Sequence, residues 1–132
     1  MEKRFITSGS PYEQRYGYSR AVVAGPHVYV AGTAPIMADG SAPPADAYGQ
    51  AMRCFEIIAA ALTEAGSSAA DVVRTRVFIT DAEHLDGVMR AHKEMFAEAR
   101  PANTAVVTQL VDPRWFVEIE VEALRVDTRA QA

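Results

Sequence analysis

Two segments of the chain have the hydrophobic repeat of an amphipathic helix, and its other apolar runs are short enough to be β-strands. Residues 46–65 and 85–99 carry apolar side chains three and four positions apart, which is the period of a helix that buries one face. Two such helices can cover only one face of a sheet of about six strands. The other face needs a different covering, and self-association is the simplest one.

The remaining apolar runs predict the strands of the sheet. They are rich in β-branched residues and are bounded by Gly, Pro or Ser, and they cover residues 5–6, 21–23, 28–32, 72–80, 100–107 and 117–123. The predicted order is therefore β-β-β-α-β-α-β-β. This order indicates an α+β fold in which a six-stranded mixed sheet carries two helices on one face.

Composition narrows the class of protein. A chain of 132 residues without a strongly biased segment predicts a single domain over residues 1–132. The net charge of −4 and the scattered basic residues argue against nucleic acid as a partner. The single cysteine, the absence of an apolar run at the N-terminus and the lack of a membrane-spanning segment predict a cytoplasmic protein.

Alternation along two of the strands separates polar from apolar faces. The two-residue alternation of a strand over residues 72–80 predicts Arg74 and Arg76 on one face and Val73, Thr75, Val77 and Ile79 on the other, apolar face. The last strand places Glu118, Glu120 and Glu122 together, so ion pairs with the arginines are the simplest interpretation. Cys54, on the apolar stripe of the first helix, is expected to be a small buried hydrophobic residue.

Several familiar kinds of site are missing from the sequence. The histidines His27, His84 and His92 do not have metal-ligand spacing, so no metal site is predicted. No Ser-His-Asp signature and no glycine-rich phosphate loop are present. Common esterases, kinases and dinucleotide enzymes are therefore not the leading interpretations.

A set of polar and aromatic residues near strand ends forms the candidate site: Tyr18, Arg20, Thr33, Asn103, Trp115 and Glu118. Glu118 could orient or deprotonate water if burial raised its pKa, and Asn103 could donate to a developing oxyanion. The alternative interpretation is that these residues form ordinary surface ion pairs. The nearby tyrosines likewise either cover an edge of the core or line a cleft.

The chain resembles the reactive-intermediate deaminase family, also called Rid, YjgF-like or L-PSP endoribonuclease. The resemblance extends over nearly the whole chain. It rests on four motifs: Gly17-Tyr18-Ser19-Arg20-Ala21-Val22, Val28-Tyr29-Val30-Ala31-Gly32-Thr33, Arg100-Pro101-Ala102-Asn103-Thr104-Ala105-Val106 and Val117-Glu118-Ile119-Glu120.

This resemblance implies a fold similar to chorismate-mutase-like domains and a homotrimer with a central barrel. It also implies small-molecule clefts between subunits, where 2-imino and 2-enamino acids are hydrolysed to 2-keto acids without metal or organic cofactor. Glu118 matches the family's acidic residue, Tyr18 its pocket tyrosine and Thr33 a polar position at the pocket rim.

The chain departs from the deaminases at Asn103, because the family carries there an arginine that binds the substrate carboxylate through two hydrogen bonds. Arg20 and Trp115 resemble features of subgroups that lack this arginine. Arg20 is therefore the leading candidate for the replacement cation, with Arg100 and Arg114 as the alternatives, and an anionic or carbonyl-derived small molecule is the expected ligand. Two alternatives stay open: a metabolite-binding or regulatory protein without turnover and, fitting the acidic chain less well, an endoribonuclease.

Overall fold

The computed structural model describes residues 2–125 and arranges them as one six-stranded sheet with three α-helices. In chain order the elements are β1 (Lys3–Ile6), α1 (Pro11–Tyr16), β2 (Ala21–Ala24), β3 (His27–Thr33), α2 (Ala47–Glu64), β4 (Val72–Ile79), α3 (Leu85–Phe96), β5 (Ala102–Val107) and β6 (Val117–Leu124). The predicted strands are confirmed, with boundaries that differ by a few residues.

The sheet is mixed, as predicted, and its strand order is β1-β2-β3-β6-β4-β5. Only the β4–β5 pair is parallel among these neighbours, and the other pairs are antiparallel. The last strand of the chain therefore lies in the middle of the sheet, between β3 and β4. Strand β5 forms an edge, and all of its residues are exposed.

The two long helices cover one face of the sheet, which confirms the sequence prediction. Helix α2 contacts β3 and β6, and α3 packs on α2. Asp46 caps the N-terminus of α2, and its carboxylate accepts a hydrogen bond of 2.7 Å from the backbone N–H of Gly49. Among residues 2–125, no helix has the length and hydropathy that a membrane crossing requires. The core between helices and sheet includes Val28, Ile58, Val77, Phe96 and Ile119.

The opposite face of the sheet carries the predicted ion pairs. Arg76 Nη1 lies 3.0 Å from Glu120 Oε1 and 3.3 Å from Glu122 Oε1, while Arg74 Nε lies 3.6 Å from Glu122 Oε2. These side chains are between 34% and 40% exposed, so solvent screens the pairs and each contributes little to stability. The surface interpretation is thus confirmed for Glu120 and Glu122.

Helix α1 is an element that the sequence prediction missed. The predicted order has no helix between its first two strands, although Ser10 and Pro11 form a typical helix start and Gly17 a typical helix end. In the structure the Ser10 side chain accepts a hydrogen bond from the N–H of Tyr12, and Gly17 adopts φ +76°. The helix has only six residues, too few to show a hydrophobic period.

The predicted position of Val73 on the buried face of β4 is wrong. The pairing of β4 with β6 shifts between Val72 and Arg74, so Val73 is an extra residue in the strand. As a result Val72 is buried and Val73 is exposed. Strict alternation fails at such a bulge because one inserted residue exchanges the two faces.

Cys54 lies in the core between α2 and the sheet and has no exposed surface. Burial, with a smaller contribution from the Glu118 charge, raises the pKa of its thiol well above the ordinary range. We expect the folded protein to react with a thiol-specific reagent at least about 100-fold more slowly than the unfolded chain. Absorbance of the released chromophore, with and without denaturant, measures both rates; similar rates would contradict the buried position.

Candidate functional site

A cavity of about 580 Å³ lies at the end of the sheet where β3 ends and β6 begins. Four of the predicted site residues line it: Tyr18, Arg20, Trp115 and Glu118. Its other walls come from α1 and from two irregular segments, residues 34–43 and 111–115. The sequence prediction therefore identified the floor of this cavity and part of its wall.

Glu118 lies on β6 next to the ion-paired glutamates, but its environment differs from theirs. In the sheet register it lies opposite Phe78, whereas Glu120 lies opposite Arg76. Within residues 2–125, no basic side chain is within 4.0 Å of the Glu118 carboxylate. Burial raises the pKa of Glu118, and the more distant charge of Arg20 opposes this rise. Glu118 is thus the member of the acidic ladder suited to exchange a proton with a ligand.

Gly32 lets the Glu118 carboxylate approach the backbone of β3. A Cβ atom at position 32 would collide with Glu118 Oε2, so a larger residue would push the carboxylate away. The Gly32 carbonyl oxygen also accepts a hydrogen bond of 2.8 Å from Arg20 Nη2. The three residues together form the polar floor of the cavity.

Arg20 is held in place by its contact with Gly32 and lies close enough to Glu118 to influence its pKa. Its Nε atom is buried and has no hydrogen-bond partner in the described part of the chain. Arg114 and Asp112 form an ion pair in the outer wall, with Arg114 Nη2 2.9 Å from Asp112 Oδ2. The charged groups of the lining are therefore two arginines and two carboxylates, which balance formally.

The upper walls are aromatic and apolar. Tyr12, Tyr16 and Tyr18 all line the cavity and are exposed, which supports the cleft interpretation of the tyrosines over the core-edge one. The rings of Tyr12 and Tyr16 are parallel, with centroids 6.4 Å apart. Of these three tyrosines only Tyr18 belongs to the predicted site, because the short helix α1, which aligns Tyr12 and Tyr16, is not evident in the sequence.

Thr33 and Asn103, the other two predicted site residues, do not line this cavity in a single chain. Thr33 is buried, and its hydroxyl donates a hydrogen bond of 2.8 Å to the Ala31 carbonyl oxygen. Asn103 pairs with Thr75, on the face that carries the helices, while Glu118 pairs with Phe78 on the other face. One chain therefore keeps Asn103 and Glu118 on opposite faces of its sheet.

Asn103 belongs instead to a chain of hydrogen bonds that leads into the core. Its Nδ2 donates to Thr75 Oγ1 at 2.9 Å, and Thr75 Oγ1 lies 2.8 Å from His92 Nε2. Thr75 and His92 are both buried, and burial lowers the pKa of His92. Because the threonine oxygen accepts from the amide, its hydroxyl can donate to a neutral imidazole.

We expect Thr75→Val to lower the free energy of unfolding by about 1–3 kcal/mol, because the imidazole of His92 would be buried without a partner. Urea denaturation at pH 7 measures this loss. Thr63→Val is the control, since Thr63 is exposed on helix α2. Equal stabilities of the two variants would contradict the role assigned to Thr75.

In the described part of the chain, no three His, Cys, Asp or Glu side chains converge as metal ligands. The cavity offers an acid, two arginines and aromatic walls. Such a set can hold a small molecule with an apolar body and can move a proton at Glu118.

Comparison with known proteins agrees with the fold. Residues 10–125 match the family described as "Endoribonuclease L-PSP". The chain is 42% identical over 123 residues to the uncharacterized protein SCO2049 of Streptomyces coelicolor, covering 92% of each chain. It is 33% identical over 109 residues to a RutC family protein of Pyrococcus abyssi, covering 82% of this chain and 86% of that protein.

A solved structure from Mycobacterium tuberculosis, Rv2704 of the YjgF/YER057c/UK114 family, has the same fold. It superposes with a TM-score of 0.84 at 39% identity, covering 93% of this chain and 99% of that one. The α+β architecture predicted from the sequence is thereby confirmed. The chain belongs to the Rid/YjgF family, whose sequence profile is described as endoribonuclease L-PSP.

Proposed function

We propose that this protein hydrolyses imines or enamines in clefts between the subunits of a homotrimer. The observation that carries the proposal is Glu118 on the floor of the cavity, a half-buried acid with a raised pKa and no ion-pair partner among residues 2–125. A carboxyl group in such surroundings can accept and return a proton near neutral pH. The alternative, a structural ion pair, describes its neighbours Glu120 and Glu122.

In the proposed reaction a water molecule attacks the imine carbon while Glu118 accepts one of its protons. The C–O bond forms, the electrons of the C=N bond move to nitrogen, and a carbinolamine results. Glu118 returns this proton to nitrogen, which completes the carbinolamine. The hydroxyl proton then passes through Glu118 to nitrogen, the C–N bond breaks as the C=O bond forms, and ammonia leaves. An enamine is first protonated at carbon to give the imine. The net reaction consumes one water and needs no oxidant or reductant.

The assembly follows from the positions of Asn103 and Glu118 on opposite faces of one sheet. Only a second copy of the chain can bring an Asn103 to the cavity of the first. Strand β5, which carries Asn103, is an edge strand with all of its residues exposed and is therefore a suitable surface for such a contact. A trimer around a central barrel, as the family resemblance implies, satisfies this requirement.

The ligand is proposed to differ from that of the deaminases that carry arginine at position 103. Asn103 offers neutral hydrogen bonds in place of a charged fork, and Thr75 already accepts one of them. Arg20 lines the cavity and can supply positive charge to a ligand, although its charge also acts on the nearby Glu118 carboxylate. Tyr18 and Trp115 form apolar walls, which supports an anionic or carbonyl-derived ligand with an apolar body.

Incubation with freshly generated 2-aminoacrylate and 2-iminobutyrate, followed by detection of the keto acid, tests the proposal. We expect release of keto acid above the buffer rate. Light scattering on a sizing column tests the assembly, and we expect a trimer. A buffer-level rate with both compounds would rule out the standard deaminase reaction for this chain, and a monomer would rule out the shared cleft.

A metabolite-binding protein without turnover is the second candidate, because an amide at position 103 binds a ligand without activating it strongly. Recovery of an unchanged metabolite from the purified trimer, together with a buffer-level rate, would favour it. The endoribonuclease activity in the family description fits less well, since the chain has a net charge of −4. RNA cleavage that persists through purification and is lost in Glu118→Gln would favour that activity instead.

A further inference from the structure

Two segments without regular secondary structure form the outer walls of the cavity. The proline loop, residues 34–44, follows β3, and the tryptophan loop, residues 108–116, joins β5 to β6. The ends of the tryptophan loop are hydrogen-bonded to the end of β4 and the residue after it: the Thr108 N–H donates to the Ile79 carbonyl oxygen at 2.8 Å, and the Phe116 carbonyl oxygen accepts from the Thr80 N–H at 3.0 Å. Other contacts must fix the residues between these ends and the proline loop.

One side chain of α2 binds both loops. The Gln50 Nε2 group donates to the Pro44 carbonyl oxygen and to the Arg114 carbonyl oxygen, each at 3.0 Å. Its Oε1 accepts a hydrogen bond of 2.7 Å from the backbone N–H of Phe116. The two contacts in the tryptophan loop lie immediately before and after Trp115. Gln50 therefore fixes the backbone on both sides of this wall residue.

The chemistry of this position requires a carboxamide. Gln50 is 1% exposed, and both of its N–H donors and its oxygen are used. A glutamate at the same place cannot donate to two carbonyl groups, and a leucine leaves two carbonyls and one N–H unpaired in the interior. One turn along α2, Arg53 Nε donates to the Ile36 carbonyl oxygen at 2.8 Å and holds the other end of the proline loop.

We propose that Gln50 is a positioning residue of the ligand site, which joins the proline loop to the tryptophan loop and sets Trp115 in the cavity wall. The proposal rests on the proposed function in one respect, namely that this cavity is where the ligand binds. Helix α2, which otherwise packs in the core, would then also determine the shape of the site. Gln50 does not line the cavity, so it would act through the residues that do.

Trp115 is the only tryptophan in the chain, so its fluorescence reports this wall directly. In folded Gln50→Leu and Gln50→Glu proteins at low temperature, we expect acrylamide to quench Trp115 at least about two-fold more strongly than in the native protein. Gln109→Leu is the matched control, because Gln109 is exposed in the same loop. Native-like quenching in the folded Gln50 variants would overturn the proposal.

A measurement on the unmodified protein covers the case in which the variants do not fold. The Phe116 amide lies outside the regular strands, yet it donates a partly buried hydrogen bond of 2.7 Å to Gln50 Oε1. We expect its hydrogen exchange to be at least about 100-fold slower than that of Val111, which is 92% exposed in the same loop. Similar exchange rates of the two amides would also overturn the proposal.

The quenching of Trp115 and the hydrogen exchange of Phe116 test the positioning role of Gln50 independently of the proposed hydrolysis. If no keto acid is formed while Trp115 and Phe116 behave as expected, the proposed reaction fails and the role of Gln50 in shaping the cavity stands. If keto acid is formed, the folded Gln50→Glu variant is expected to show an increase in KM of about ten-fold with a smaller change in kcat, because ligand positioning is affected more than proton transfer. An unchanged KM would restrict Gln50 to stability and overturn its functional role.

Discussion

Replacing Glu118 with glutamine is expected to lower the rate of imine hydrolysis by about 10²- to 10⁴-fold, the usual contribution of a general acid–base residue. Glutamine keeps the size and hydrogen-bonding shape of the side chain but cannot accept a proton from water. Because Gly32 has no Cβ atom, the glutamine side chain has room to occupy the position of the Glu118 carboxylate. Initial rates of keto-acid release from both proteins, at equal concentration, give this ratio.

The same substitution is expected to stabilise the fold at neutral pH. Burial raises the pKa of Glu118, so the folded chain holds this proton more tightly than the unfolded chain does. The stabilisation from protonation is complete below the ordinary glutamate range and is lost as the pH rises through the raised pKa. Glu118→Gln should therefore melt at a higher temperature than the native protein at pH 7, and this difference should shrink near about pH 4.

Glu120→Gln is the matched control for both effects. Glu120 lies two residues along the same strand and on the same face, but its carboxylate pairs with Arg76. We expect this variant to retain most of the activity and to gain no stability at pH 7. A native rate in Glu118→Gln, or equal losses in both variants, would contradict the role assigned to Glu118.

Asn103→Arg is expected to convert the cleft toward the small 2-keto and 2-imino acids of the arginine-containing deaminases. A guanidinium can bind a carboxylate through two charge-assisted hydrogen bonds, which contribute about 1.5–3 kcal/mol where a neutral amide gives less. The affinity for 2-oxobutyrate, measured by calorimetry, should rise by about 10- to 100-fold. The lost bond from Asn103 to Thr75 should cost about 1 kcal/mol of stability.

Asn103→Lys separates the effect of charge from that of geometry. Lysine adds the same formal charge but presents a single ammonium group instead of a planar fork. We expect its gain in affinity to be clearly smaller than that of the arginine variant. Equal gains would mean that charge alone governs binding, and no gain in either variant would place Asn103 outside the ligand site.

Much of the fold could be predicted because its long elements have clear periods. The apolar stripe of α2 and the alternation in β6 both predicted the buried face correctly, and Glu120 and Glu122 of β6 pair with the arginines of β4 as expected. Helix α1 was missed because it is too short for a period, and Val73 was misplaced because a bulge inserts one residue. Local irregularity of this kind leaves little trace in a hydrophobic pattern.

The site could be predicted only in part, since motifs give residue types but not faces. Glu118, Arg20 and Trp115 lie at one cavity, yet Asn103 lies on the other face of the sheet, a fact that depends on strand register. Gln50 was not recognised because its partners are 64 and 66 residues away along the chain. A buried polar residue on an otherwise apolar helix face was the one available signal.

In the proposed trimer each active site takes Glu118 from one subunit and Asn103 from another, and mixed trimers test this most directly. Glu118→Gln and Asn103→Ala proteins are unfolded together in equal amounts, refolded and assayed for keto-acid release. Because the contacts in a three-membered ring are head-to-tail, about one quarter of the sites should then carry both native residues. We predict recovery of about one quarter of the native rate. A rate no higher than the mean of the two separate variants would contradict a site shared between subunits.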